Sequence, residues 1–111
     1  MRKCEIEISE KTYTLELNRN SIKWLEANGF VAEEFEKKQL TFVDLLWTSG
    51  FIKNYPTMTI SEGSTLLDKY ESEGGDVQEI IEFLTEEYKN FILALTDTKS
   101  KSTKKAKIME A

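Results

Sequence analysis

Histidine is absent from this 111-residue sequence, and cysteine and proline each occur once, as Cys4 and Pro56. Each scarcity excludes something. Without histidine the usual general base near neutral pH is missing. With a lone cysteine as well, no zinc or iron site of the His and Cys type can be assembled. One cysteine also forms no internal disulfide, so there is no stapled secreted framework. The few glycines are not spaced as a phosphate-cradling loop, and Gly74-Gly75, after a helical pattern, reads as a helix end. The opening MRKC leads into alternating residues, not an apolar run. No stretch approaches the roughly 18 apolar residues of a membrane span. The expectation is a soluble protein of a reducing cytoplasm, with no cofactor, no metal ion and no membrane contact.

Charge is plentiful but unevenly placed. Residues 1–95 hold ten Lys+Arg against eighteen Asp+Glu, a net −8, whereas residues 96–111 carry five Lys against Asp97 and Glu110, a net +3. An acidic body repels phosphate, which argues against nucleic-acid binding by the folded part. Runs such as Glu33-Glu34-Glu36, Glu71-Glu73 and Glu86-Glu87 fall on polar helix faces or at helix ends, where solvation explains them better than catalysis does. The sequence therefore predicts a protein that is not an enzyme.

Periodicity predicts an α+β fold: an N-terminal antiparallel β-hairpin over 3–18, packed on a bundle of four to five α-helices over 20–95. These form one domain over 1–95, followed by a disordered, lysine-rich tail over 96–111. Cys4, Ile6 and Ile8 alternate with polar residues, as do Tyr13, Leu15 and Leu17. Pairing Ile8 with Tyr13, Ile6 with Leu15 and Cys4 with Leu17 collects the apolar residues on one face. The loop is then Ser9–Thr12 or its inner two residues. Lacking Gly or Asn, it disfavours the tightest turns.

A helix is expected from about Ser21 to Asn28, capped by Asn18 or Asn20 and ended by Gly29, with Phe30 folding back on Leu25. A short helical piece, AEEFEKKQ, follows. The next helix opens with Thr41 as N-cap and Asp44 in its first turn, is apolar nearly all round, and stops before Pro56; it should be the central one. Thr59 and Glu62 form a capping box for a helix bearing Leu66, Leu67 and Tyr70. Asp76 and Glu79 form another, for a long helix with Val77, Ile80, Ile81, Leu84, Tyr88, Phe91, Ile92 and Leu95 at 3.6-residue spacing.

Aromatic residues are numerous for a small domain, and most must be core. Trp and Tyr are also the preferred anchors of protein interfaces. Phe83 lies off the main stripe of its helix, and Phe51 and Tyr55 flank Gly50 and Pro56. Trp47, Phe51, Tyr55 and Phe83 are therefore the candidate partner-binding residues. Surplus apolar surface on an acidic domain points to a protein client or to self-association. Cys4, on the apolar face of the hairpin, reads as a packed thiol and not as a nucleophile.

The order of these segments resembles the tail assembly chaperones of long-tailed (siphovirus-type) bacteriophages and prophages. The likeness runs over about residues 3–95, through CEIEISEKTYTLELN, SIKWLEANGF, TFVDLLWTSGFIKNYPTMTISEG and VQEIIEFLTEEYKNFILAL. It rests on pattern and order. It implies a non-enzymatic protein of the bacterial host cytoplasm that binds the tape measure protein, helps recruit tail tube subunits, and is absent from the mature virion. Such genes often continue through a ribosomal frameshift, for which Lys104-Lys105 supplies a candidate pair of codons. The alternative is a small acidic phage or host regulatory protein that mimics nucleic acid or acts as an inhibitor.

Overall fold

The hairpin closes on two residues that are neither Gly nor Asn, Ser9 (φ 51°) and Glu10 (φ 67°). Strands β1 (Cys4–Ile8) and β2 (Lys11–Leu15) pair antiparallel, with Cys4 opposite Leu15, Ile6 opposite Tyr13 and Ile8 opposite Lys11. The register is two residues tighter than the alternation suggests. A two-residue slip keeps every apolar side chain on the same face, so alternation alone does not tell the two pairings apart. Positive φ at both loop positions is the type I′ pattern, whose twist suits a hairpin. For residues with a Cβ it costs roughly 1–2 kcal/mol each. A distant carboxylate offsets that cost. The Ser9 N–H donates to Glu73 Oε1 at 2.9 Å and to Oε2 at 3.2 Å, and the Ser9 hydroxyl donates to Oε2 at 2.9 Å.

The structure, a computed structural model, describes residues 2–35 and 37–101, with side chains through residue 94. After the hairpin come α1 (Arg19–Ala27), a single 3-10 turn (Ala32–Glu34), α2 (Gln39–Ile52), α3 (Ile60–Ser72) and α4 (Val77–Lys101). The fold is α+β, a two-stranded hairpin against four helices. Asn18 caps α1 in a reciprocal box with Ser21. Gly29, at φ 87°, ends it, and the Phe30 N–H donates to Leu25 O at 3.0 Å. Of AEEFEKKQ, Ala32–Glu34 form the 3-10 turn and Gln39 opens α2; Phe35 is the one large apolar residue of the stretch, which leaves a helix there little to bury. Helix α2 starts two residues before Thr41, with Lys38 at the cap position and no side-chain cap. Thr41 is thus inside the helix, and the Phe42 N–H donates to Lys38 O at 3.0 Å. The Thr59 hydroxyl accepts from the Glu62 N–H at 3.1 Å, and Asp76 accepts from the Glu79 N–H at 3.2 Å.

Helix α2 is central. From Leu45 to Ile52 it is buried on every side, packed against α1, α3, α4 and β2. Trp47, Phe51, Leu46 and Leu45 meet Ile8 and Leu15 from the hairpin and Ile80 and Leu84 from α4 in one core. Each fully buried large apolar side chain contributes roughly 1.5–3 kcal/mol. Glycines permit the close approaches. A Cβ on Gly50 would lie 3.1 Å from Leu84 Cδ2 and 3.3 Å from Leu15 Cδ2. Its absence lets β2 and α4 close on α2, and the Glu16 N–H, just past β2, donates to Gly50 O at 3.0 Å. At Gly63, α3 touches α2 backbone to side chain.

Helix α4 has 25 residues, a length of about 37 Å at 1.5 Å per residue. That exceeds the two shorter dimensions of the molecule, whose extents are 59 × 29 × 24 Å. The helix runs six residues past Leu95, into the stretch expected to be tail. Adding a residue to an existing helix gains a hydrogen bond without the cost of a new nucleus, so a polar sequence can prolong it. Residues 102–111, with Lys104-Lys105, and the side chain of Leu95 lie outside the described residues.

Two carboxyls tie the hairpin down and respond to acid. Hydrogen bonds from the Ser9 backbone and hydroxyl hold Glu73 below its ordinary value of 4.5. Lys53, whose ammonium lies 3.0 Å from Glu16 Oε2, holds Glu16 below its own with help from Asn54 and against some desolvation. A carboxyl with a depressed folded-state pKa stabilises the fold above its unfolded value. That contribution fades as the pH falls through the folded one. The urea midpoint should therefore drop as the pH is lowered below about 4.5. The Glu16→Gln/Glu73→Gln double variant should start lower at pH 7 and show a shallower drop. Parallel curves would show that these two groups do not carry the acid response.

Candidate partner-binding groove

Helix α4 is apolar on two adjacent stripes. Ile80 and Leu84 point into the core. One residue further round, Val77, Ile81 and Tyr88 are half-buried on a neighbouring face. Side chains at i and i+4 stack on one side of a helix, so Val77, Ile81 and Thr85 form a continuous row. Opposite that row stand Gln39 and Val43 from the first turns of α2, and Phe35 from the loop before it. Between them lies an open groove of about 810 Å³, to whose lining α3 contributes Glu71. On the far side of Phe35 a smaller hollow of about 280 Å³ is lined by Phe30, Leu46 and Tyr88, and it shares Thr85 and Lys89 with the groove. Phe35 packs edge-on against Phe30, with ring centroids 6.5 Å apart, and tilts against Phe42 at 6.4 Å.

The wall is apolar and the rim acidic. Glu82 and Glu86 line the α4 side. Beyond Phe35, burial pushes the Tyr88 hydroxyl pKa up, and the nearby charges of Glu26 and Glu33 push it further. Leu40, one residue beyond Gln39 and three before Val43, is 88% exposed. At i and i+3 it neighbours Val43 on the surface of α2. The sequence reading missed Leu40 because it began the helix at Thr41.

The four aromatic candidates do not form this surface. Trp47 and Phe51 are wholly enclosed, so in this fold they are core and not partner anchors. The Leu45–Ile52 stretch of α2, surrounded on all sides, has no free face to offer. The Trp47 indole N–H donates to Gly63 O at 2.9 Å. Tyr55 is half-buried against β2, where its hydroxyl oxygen accepts from the Thr14 N–H at 3.3 Å. Phe83 is half-buried beneath the Arg2 guanidinium, 5.4 Å from the ring centroid. The groove residues Phe35, Val43, Val77 and Ile81 were legible only as apolar positions, with nothing in the pattern to separate them from core.

Glu87 is also a correction. It is 3% exposed, not part of a solvated run. Its carboxylate accepts the Arg2 backbone N–H at 2.8 Å and the Arg2 Nε–H at 3.2 Å, while Arg2 also reaches Glu86 at 3.2 Å. Arg2 thus joins the start of the chain to α4 through a charge-assisted pair. The Cys4 thiol pKa is raised by burial first, then by Glu79 and Glu5, the environment of a packed thiol and not of an activated one. Among the described residues no group of three or more His, Cys, Asp or Glu is placed to hold a metal ion, and no helix is long and apolar enough to cross a membrane.

A hairpin packed on α2 and α3, with four helices and an open groove beside the last of them, defines a small α+β domain. The chain belongs to the family described as a domain of unknown function, DUF5055, whose pattern matches residues 2–110. No curated protein and no solved structure matches it.

Proposed function

We propose that this protein is a non-enzymatic tail assembly chaperone of a long-tailed phage or prophage. It binds an apolar helical segment of the tape measure protein in the groove beside α4 and helps recruit tail tube subunits. It works in the cytoplasm of the bacterial host and is left out of the finished particle. The observation that carries this reading is the open groove walled by Phe35, Val43, Val77 and Ile81. A groove of this kind suits a helix laid in by its apolar face, and the acidic body keeps a greasy client soluble. The order of hairpin, glycine-ended helix, central helix before proline and long last helix supports the same reading.

The test is co-expression with the long, helix-rich protein encoded next to this gene. The wild-type chain should raise the soluble fraction of that neighbour severalfold. Ile81→Asp, half-buried in the groove wall, should abolish the effect while the domain still folds, with a melting temperature lowered by roughly 5–15 °C for a cost of about 1–2 kcal/mol. A neighbour equally soluble without this protein, or a gene with no tail tube and long helix-rich neighbours, would overturn the proposal.

A further inference from the structure

We propose that the groove selects by charge: its preferred occupant is an amphipathic helix whose apolar stripe is flanked by lysine or arginine. This rests on the reading of the groove as a protein-binding site and adds what kind of helix enters it.

The groove follows α4 from Val77 to Lys89, about 18 Å at 1.5 Å per residue. That length takes about three turns of a second helix, enough for apolar anchors at i, i+4 and i+7 on Val77, Ile81 and Phe35. The rim decides which helix. Glu71, Glu82 and Glu86 line the groove itself, and the charges of Glu26 and Glu33 reach Tyr88 in the adjoining hollow. Among the described residues lining either hollow, Lys89 is the one cation. Arg2 offsets Glu86 at 3.2 Å but is held by Glu87 at the same time. Glu71 and Glu82 have no cation within salt-bridge distance among the described residues. An incoming acidic helix would meet like charge at Glu71 and Glu82, and a basic one would be steered in and held.

The experiment uses the full chain and two fluorescein-labelled helical peptides of about 18 residues with the same leucine stripe, one flanked by lysines and one by glutamates. Fluorescence anisotropy should show the lysine peptide binding about tenfold more tightly at low salt, since several rim pairs of modest strength add up to that factor. The gap should close at about 1 M salt, where the screening length is about 3 Å. Glu71→Lys/Glu82→Lys should reverse the preference without moving the melting temperature. Ile81→Asp should abolish binding of both peptides, although it adds negative charge. Unspecific attraction to the acidic body would instead survive that substitution. Equal affinities, or a preference unchanged by the charge reversal, overturn the charge selection and leave the groove standing. Failure of both peptides to bind, or binding indifferent to Ile81→Asp, overturns the groove itself.

Discussion

Gly63→Ala is expected to cost about 3 kcal/mol or more of unfolding free energy, read from the urea midpoint, although it adds one methyl group and raises intrinsic helix propensity. An exposed helix would gain up to about 1 kcal/mol from this substitution. Here the new Cβ would stand 2.1 Å from Thr48 Oγ1 and 2.9 Å from both Thr48 Cβ and Cγ2. No rotation of Thr48 relieves all three overlaps, because its Cβ does not move with χ1. The helices must separate, and overpacking of this kind costs about 1–3 kcal/mol or more. Separation would also stretch the bond from the Trp47 indole to Gly63 O. The second part of the prediction isolates the cause. Thr48 Oγ1 is buried without a hydrogen-bond partner, so the hydroxyl contributes little that its loss would forfeit. Thr48→Ala should therefore be mild alone and, by removing the Oγ1 and Cγ2 overlaps while its Cβ stays at 2.9 Å, should rescue Gly63→Ala in part, with a coupling of about 1–3 kcal/mol in a double-mutant cycle. Additive effects would show that the two helices do not meet at this point.

Trp47→Ala should destabilise the protein by about 3–5 kcal/mol, a large share of the roughly 5–15 kcal/mol that holds a small domain together. Trp47 contacts Phe51 and Tyr70, with ring centroids at 5.4 and 5.6 Å, and donates to α3. Trp47→Phe keeps most of the volume and loses the donor, and should cost about 1–2 kcal/mol. The fraction of either variant that remains folded should bind the lysine-flanked peptide with undiminished affinity. A Trp47 serving as an interface anchor would give the opposite pair of results, a normal urea midpoint and lost binding. Chemical denaturation and peptide titration on the same sample separate the two roles.

These expectations turn on where side chains ended up, and legibility varied with the kind of feature. The ends of α1 and α3, the burial of α2 and the existence of the hairpin follow from short-range rules. A cap or a left-handed glycine acts within four residues, and alternation or 3.6-residue spacing is written in the chain itself. The tight turn at Ser9-Glu10 was not legible, because the carboxylate that holds it belongs to Glu73. The buried state of Glu87 was not legible either, since its partner is Arg2, 85 positions away. The groove was the least visible feature. Ile81 and Leu84 look alike in the sequence, yet one borders a groove and the other is enclosed.

By itself, then, the sequence determined the hairpin and the four main helices as classes of element, the acidic body, and the absence of histidine and of a disulfide framework. These depend on residue identity and near neighbours alone. Only the tertiary structure decided the hairpin register, the interior fate of Trp47 and Phe51, and which stripe of α4 remains open. Burial is a property of what lies across the gap, and elements distant in the chain supply the other side. Periodicity says that a face is apolar; only packing says whether another part of the same chain covers it.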